Sequence, residues 1–129
     1  MPTIKNFEDL DIWQLSRQLN IKIIPYLKFL AEIKDYALKN QLESSAGSVM
    51  DNIAEGFERN GNREFIQFLA ISKGSLGEVR SQLHRLFDRE ILDKEKFDGL
   101  QNECLLLGSK IGAFMNYLRK SDLKGSKFR

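Results

Sequence analysis

Residues 48–83 read SVMDNIAEGFERNGNREFIQFLAISKGSLGEVRSQL. Apolar residues recur here every three or four positions: Val49, Ile53 and Phe57 before Asn60-Gly61-Asn62, then Phe65, Phe68, Leu69, Leu76, Val79 and Leu83 after it. That period is helical, and the break between the two runs is a turn signal. Gly61 or Asn60 can take the left-handed conformation that stops a helix, and Asn62 can cap the next one. The stretch is therefore two amphipathic helices joined by one short turn.

The same period extends outward in both directions. It predicts a first helix over residues 9–30, with Ile12, Leu15, Leu19, Ile23, Tyr26 and Leu30 on one face. Pro25 falls inside it and should kink the helix or end it early. Residues 35–59 form the second helix, with Leu38 and Leu42 extending the inward stripe, and residues 63–87 form the third, with Leu86 inward. A turn follows at residues 89–93, where Asp93 is placed to cap a fourth helix over residues 94–119. That helix turns Phe97, Leu100, Cys104, Leu107, Ile111, Phe114, Met115 and Leu118 inward. Trp13 is a packing residue at the edge of the first helix. There is no strand pattern and no internal repeat. The fold class is all-α, an antiparallel up-down four-helix bundle.

Composition agrees. The chain has 129 residues, enough for one domain with a real core, and only 2 prolines. The bundle domain is assigned to residues 1–120 and a basic tail to residues 121–129. From Arg119 onward, Arg119, Lys120, Lys124, Lys127 and Arg129 oppose only Asp122, so the rest of this +2 chain is slightly acidic. Such an end either attracts phosphate backbones or simply solubilises. No apolar run approaches the roughly 20 residues that cross a bilayer, and the N-terminus lacks a secretion signal. A single cysteine, Cys104, fits a reducing compartment. The expectation is a soluble cytoplasmic protein.

Two stripes are unusual. On the second helix, Gln41, Ser45, Ser48 and Asn52 share an arc of about 60° beside the core stripe, where a plain solvent face would carry Lys and Glu. Either the row bonds to another helix, or it is a polar boundary at the core edge. On the third helix, Ala70, Gly74, Gly77 and Ser81 share a similar arc, roughly opposite the core face. Two mid-helix glycines cost about 1 kcal/mol each relative to alanine, and close approach of a neighbour is the usual compensation. The neighbour could be a second copy of the chain. The rival readings are an exposed, slightly unstable helix, or glycines buried against the fourth helix. Both stripes are candidate oligomer interfaces.

Chemistry is thinly supported. A di-iron bundle needs paired Glu-x-x-His motifs, and the one histidine, His84, follows Ser81 at that spacing. One His and one Cys cannot build a zinc site. Cys104 lies on the inward face as a small apolar residue, and His84 lies on the surface. Lys73-Gly74-Ser75 lacks the glycine pattern of a phosphate loop. Ser48, Ser75 and Ser81 have no His-Asp partner set. Glu55, Glu64 and Glu78 are carboxylates, but Glu55 with Arg59, and Glu64 with Arg63 or Gln67, fit helix-face pairing better than acid/base work. The expectation is a non-enzyme without metal or cofactor. A hydrolase or nuclease would need Glu55 or Glu78 to converge with a metal in one pocket. Nucleic-acid binding has more material: Arg59, Arg63, Lys73, Arg80 and Arg85 on the two central helices, with Lys124, Lys127 and Arg129 in the tail.

These residues also carry a resemblance. Asn52-Ile53-Ala54-Glu55-Gly56-Phe57-Glu58-Arg59, Glu64-Phe65-Ile66 with Phe68-Leu69, and Gly74-Ser75-Leu76 with Glu78 resemble the four-helix-bundle proteins encoded in intervening sequences of bacterial 23S ribosomal RNA genes. Phe7-Glu8-Asp9-Leu10 with Trp13-Gln14 resembles that family's start, and Gln41-Leu42 and Ser48 its second helix. The similarity covers residues 7–118. Asp51 departs from the small or apolar residues more usual there. The resemblance implies an up-down bundle assembled as a homopentameric ring. It also implies kinship with the accessory protein of diversity-generating retroelements, a basic pentamer that binds nucleic acid and a reverse transcriptase. It supplies no catalytic residues. Two functions follow as expectations: binding of RNA or a ribonucleoprotein partner, or a protein–protein adaptor without a nucleic-acid role.

Overall fold

The computed structural model describes residues 4–123. After a one-turn 3-10 helix at Phe7–Asp9, four helices follow: α1 (Asp11–Glu32), α2 (Tyr36–Phe57), α3 (Asn62–Asp88) and α4 (Lys94–Leu123). They form the expected antiparallel bundle, and the predicted helices agree with these to within a few residues.

Local chemistry sets the ends. Asn6 and Asp9 cap the opening turn reciprocally. The Asp35 carboxylate accepts from the Leu38 amide (3.2 Å) and Asp93 from the Lys96 amide (2.8 Å), so α2 and α4 each start on an aspartate. The turn after α1 closes with Asp35 N–H donating to Leu30 O (2.9 Å), and the turn after α3 with Ile91 N–H donating to Leu86 O (3.0 Å). Each places a non-glycine residue in left-handed backbone: Lys34 at φ 62° and Glu90 at φ 61°.

Three expectations change. The helix does not end early at Pro25; α1 runs through it to Glu32. Pro25 is exposed and lines a groove between α1 and α4 with Tyr26, Gly99 and Leu100. Asn62 does not cap α3. Gly61, at φ 103°, holds that position, and Asn62 is buried as the first helical residue, donating from Nδ2 to Leu118 O (3.2 Å) across to α4. At the other end, α4 runs on to Leu123, past the helix end expected at residue 119.

The core is aliphatic along its whole length. Ile23, Leu30, Leu38, Leu42, Val49, Ile53, Leu69, Val79, Leu83, Leu86, Ile111 and Leu118 are sealed from solvent. Each such side chain contributes about 1.5–3 kcal/mol relative to exposure. Leu15, Tyr26, Phe57, Phe97 and Phe114, expected inward, are partly buried at the edges of this core, as is Trp13. Trp13 packs edge-on against Phe7 at 5.1 Å.

The seams between helices differ in kind. Between α2 and α3 the backbones approach closely at Gly56, where a Cβ would sit 2.8 Å from Phe65 Cδ1 and 2.8 Å from Phe68 Cβ. Hydrogen bonds continue that seam: Ser72 Oγ donates to Val49 O (2.6 Å), Ser48 and Ser75 hydroxyls meet at 2.8 Å, and Ser45 Oγ donates to Gln82 Oε1 (2.5 Å). Asn20 of α1 donates to Ala46 O (2.8 Å). Among the described residues, every buried side-chain polar atom has a partner. The α1–α4 seam is looser. Two ion pairs span it, Lys22–Glu103 and Lys110–Asp11 (2.9 Å).

Candidate functional site

The small polar row of α2 faces α3 of the same chain. Ser45 is buried on Gln82, Ser48 is bonded to Ser75, and Asn52 donates to Ser48 O (2.8 Å). Gln41 lies at the exposed end of the row and accepts from Arg85 (2.8 Å). Ser45 and Ser48 hold the hairpin together, which accounts for these two without a second copy, while Asn52 bonds within α2.

The α3 row is different. Ala70, Gly74, Gly77 and Ser81 are all exposed. A Cβ added at Gly74 or Gly77 would meet no neighbouring atom within 4 Å. The reading in which these glycines are buried against α4 is therefore excluded, and no contact within the chain offsets their helix cost. The glycine that close packing requires is Gly56, which lies in the NIAEG segment and was not singled out by its spacing.

The candidate cations separate into two groups. Among the described residues, ion pairs engage Lys22, Lys39, Arg59, Arg89, Lys94 and Lys110. Arg59 pairs with Glu55 (3.7 Å), and its guanidinium lies 5.1 Å over the Phe68 ring. None of these pairs engages Arg63, Lys73, Arg80 or Arg85, all on α3. Neutral amides hold two of them instead. Arg80 Nε donates to Gln101 Oε1 (3.0 Å), and Gln101 Nε2 returns a bond to Arg80 O (2.9 Å). Arg85 donates to Gln41. An amide oxygen orients a guanidinium without cancelling its charge, so these four cations of α3 stand outside the ion pairs, on a helix that also carries the exposed carboxylates Glu64, Glu78 and Asp88 and with Arg85 acting through space on Asp35. Lys124, Lys127 and Arg129 lie outside the described residues.

Lys73 and Arg80 share a cleft of about 260 Å³ between α3 and α4, lined also by Leu76, Gly77, Cys104, Leu105, Gly108 and Ser109. Cys104 is buried there, and burial pushes its thiol up to about 12, so it stays protonated and unreactive at neutral pH. His84 is exposed, with its ring 4.8 Å from that of Phe97. Among the described residues, no three His, Cys, Asp or Glu side chains gather as metal ligands. Glu55 is engaged with Arg59, and Glu78 stands exposed on another helix. No helix among the described residues is long and apolar enough to cross a membrane.

Residues 8–113 match the family model described as 23S rRNA-intervening sequence protein. A solved structure of similar shape is a protein of unknown function from the S23 ribosomal protein family of Bacteroides thetaiotaomicron. The two superpose with a TM-score of 0.75 at 22% identity, over 81% of this chain and 97% of that one. At that identity the likeness speaks for the fold alone. No significant similarity links the chain to a curated protein.

Proposed function

This chain belongs to the 23S rRNA-intervening sequence protein family, and from that premise we propose that it is a non-enzymatic protein that binds RNA, alone or within a ribonucleoprotein. The observation that carries the reading is that four cations of α3 stand outside the ion pairs of the described residues. Arg63, Lys73, Arg80 and Arg85 have no carboxylate within ion-pair distance among the described residues, while the charged side chains that bridge α1 and α4 are paired. Maintaining unpaired arginines on glutamine props favours a partner that brings its own negative charge, and a phosphate backbone does so.

The functional form in this proposal is a homo-oligomer, with the pentamer implied by family resemblance as the first expectation. Support comes from the exposed Ala70–Gly74–Ser81 row, where a Cβ at Gly74 would meet nothing within 4 Å, and from Ile71, Leu106 and Tyr117, each about half exposed. Repeating four unpaired cations around an axis would strengthen a field that is weak in one copy.

Filter retention of a structured RNA at low salt tests the binding. Retention that falls steeply with salt, in the full chain and in a chain cut after Leu123, is the expected result. No retention by either protein would end the reading. Salt-insensitive capture of a protein partner, with no RNA retained, would favour the adaptor function instead.

A further inference from the structure

We propose that the cleft between α3 and α4 seats a phosphate of the RNA backbone between the Lys73 ammonium and the Arg80 guanidinium, an inference that rests on the RNA-binding reading above. Lys73 and Arg80 lie seven residues apart on one side of α3, a rise of roughly 10 Å. Both line the cleft, and no carboxylate lines it with them. Leu76 and Cys104 supply apolar lining, and Ser109 adds a hydroxyl.

Glycine keeps the cleft open. Gly77 lies between the two cations, and a Cβ there would have open space around it. Across the cleft, a Cβ on Gly108 would touch only Leu76 Cδ2, at 3.6 Å, and one on Gly112 would lie 3.6 Å from Lys73 Nζ. The ammonium therefore lies beside bare α4 backbone. A bulky ligand can approach both helix backbones here, which gives Gly77 a role that packing within the chain does not.

Arg80 is set before any ligand arrives. The Gln101 amide takes its Nε and bonds its carbonyl in return. The two terminal amino groups of the guanidinium remain as donors, a geometry suited to phosphate oxygens. Glutamate in place of Gln101 would have quenched the charge. The seam continues beyond Lys73. Gln101, Gly108, Gly112 and Arg119 recur at helical spacing on one face of α4, and Arg119 is held by the neutral amide oxygen of Asn116 (2.9 Å). Cations repeating along one seam fit an extended polyanion better than a single small anion.

Fluorescence anisotropy of a labelled RNA hairpin, titrated against the full chain at several salt concentrations, tests the assignment. Lys73→Gln, Arg80→Gln and Gly77→Asp form the test set. Gln18→Glu, which places the same charge on the exposed face of α1, and Lys28→Gln on the same helix are the controls. Each test variant should weaken binding by about five- to twentyfold and lower the salt slope by about one, with controls within about twofold. If Arg80→Gln melts early, Arg80→Lys with Lys73→Gln carries the test, because lysine keeps charge but not the fork. Wild-type binding with test variants no weaker than controls would overturn the cleft assignment and leave the RNA reading standing. No binding by the wild-type chain at low salt would overturn both. Test variants that change particle mass by light scattering and leave RNA affinity intact would show a second copy covering the cleft, and would overturn the assignment too.

Discussion

Asp35 and Arg89 form an ion pair that joins the turn before α2 to the end of α3. The same carboxylate caps α2 through the Leu38 amide. That backbone hydrogen bond is the largest single cause that holds the Asp35 carboxyl below its ordinary value of 3.8, and Arg89 and Arg85 lower it further. A lowered folded-state value contributes stability at pH values above 3.8, and that contribution is lost as pH falls below it. Asp35→Asn keeps a capping oxygen and removes the charge. Thermal melts should show the variant less stable at neutral pH, with the gap to wild type closing below the ordinary value. A gap that stays constant with pH would contradict the charge role.

Glycines on the two central helices should respond with opposite signs. Gly56→Ala drives a methyl into Phe65 and Phe68 and should cost about 1–3 kcal/mol or more, the range of overpacking. Gly74→Ala has open space and should gain up to about 1 kcal/mol of helix propensity. Urea unfolding at low protein concentration would measure both. A destabilised Gly74→Ala under those conditions would point to a contact within the chain.

Association reads the same position differently. If the outer α3 row meets a second copy, Gly74→Leu should shift the particle toward a single chain in light scattering, with helical content unchanged by circular dichroism. An unchanged mass distribution would remove Gly74 from the interface.

Lys34 and Glu90 occupy left-handed backbone that L residues adopt at a cost of roughly 1–2 kcal/mol. Lys34→Gly and Glu90→Gly should each raise stability by about 0.5–1 kcal/mol, less than the full cost because glycine also frees the unfolded chain. Denaturant midpoints would show it, and a fall in either would mean that the side chain makes a compensating contact.

The bundle was legible because its core is periodic. Leu38, Leu42, Val49 and Ile53 lie where a 3.6-residue period puts them, and Asp93 caps α4 as its type and place suggest. What spacing reveals is the face of a helix, and the identity of the neighbour across that face depends on tertiary packing. Ser45 and Ser48 were therefore visible as an unusual row, while their partners, Gln82 and Ser75, were not. Gly56 had no signal of its own, since one glycine at a crossing looks like any other until Phe65 is placed against it. Asn62 is a favoured capping type, but Gly61 at positive φ takes the cap, which frees Asn62 to reach α4. The candidate cations could be named from sequence. Which of them lack a carboxylate could not, because pairing depends on rotamer and on helices distant in the chain.

The two ion pairs across the α1–α4 seam run with opposite polarity: α1 offers a cation at Lys22 and an anion at Asp11, and α4 answers with Glu103 and Lys110. Were α4 to dock reversed end for end, lysine would approach lysine and aspartate would approach glutamate. Exposed pairs of this sort add little to stability, but their order penalises the wrong direction of closure. The last helix thus carries a polarity code that tells it which way to lie when it completes the barrel of side chains.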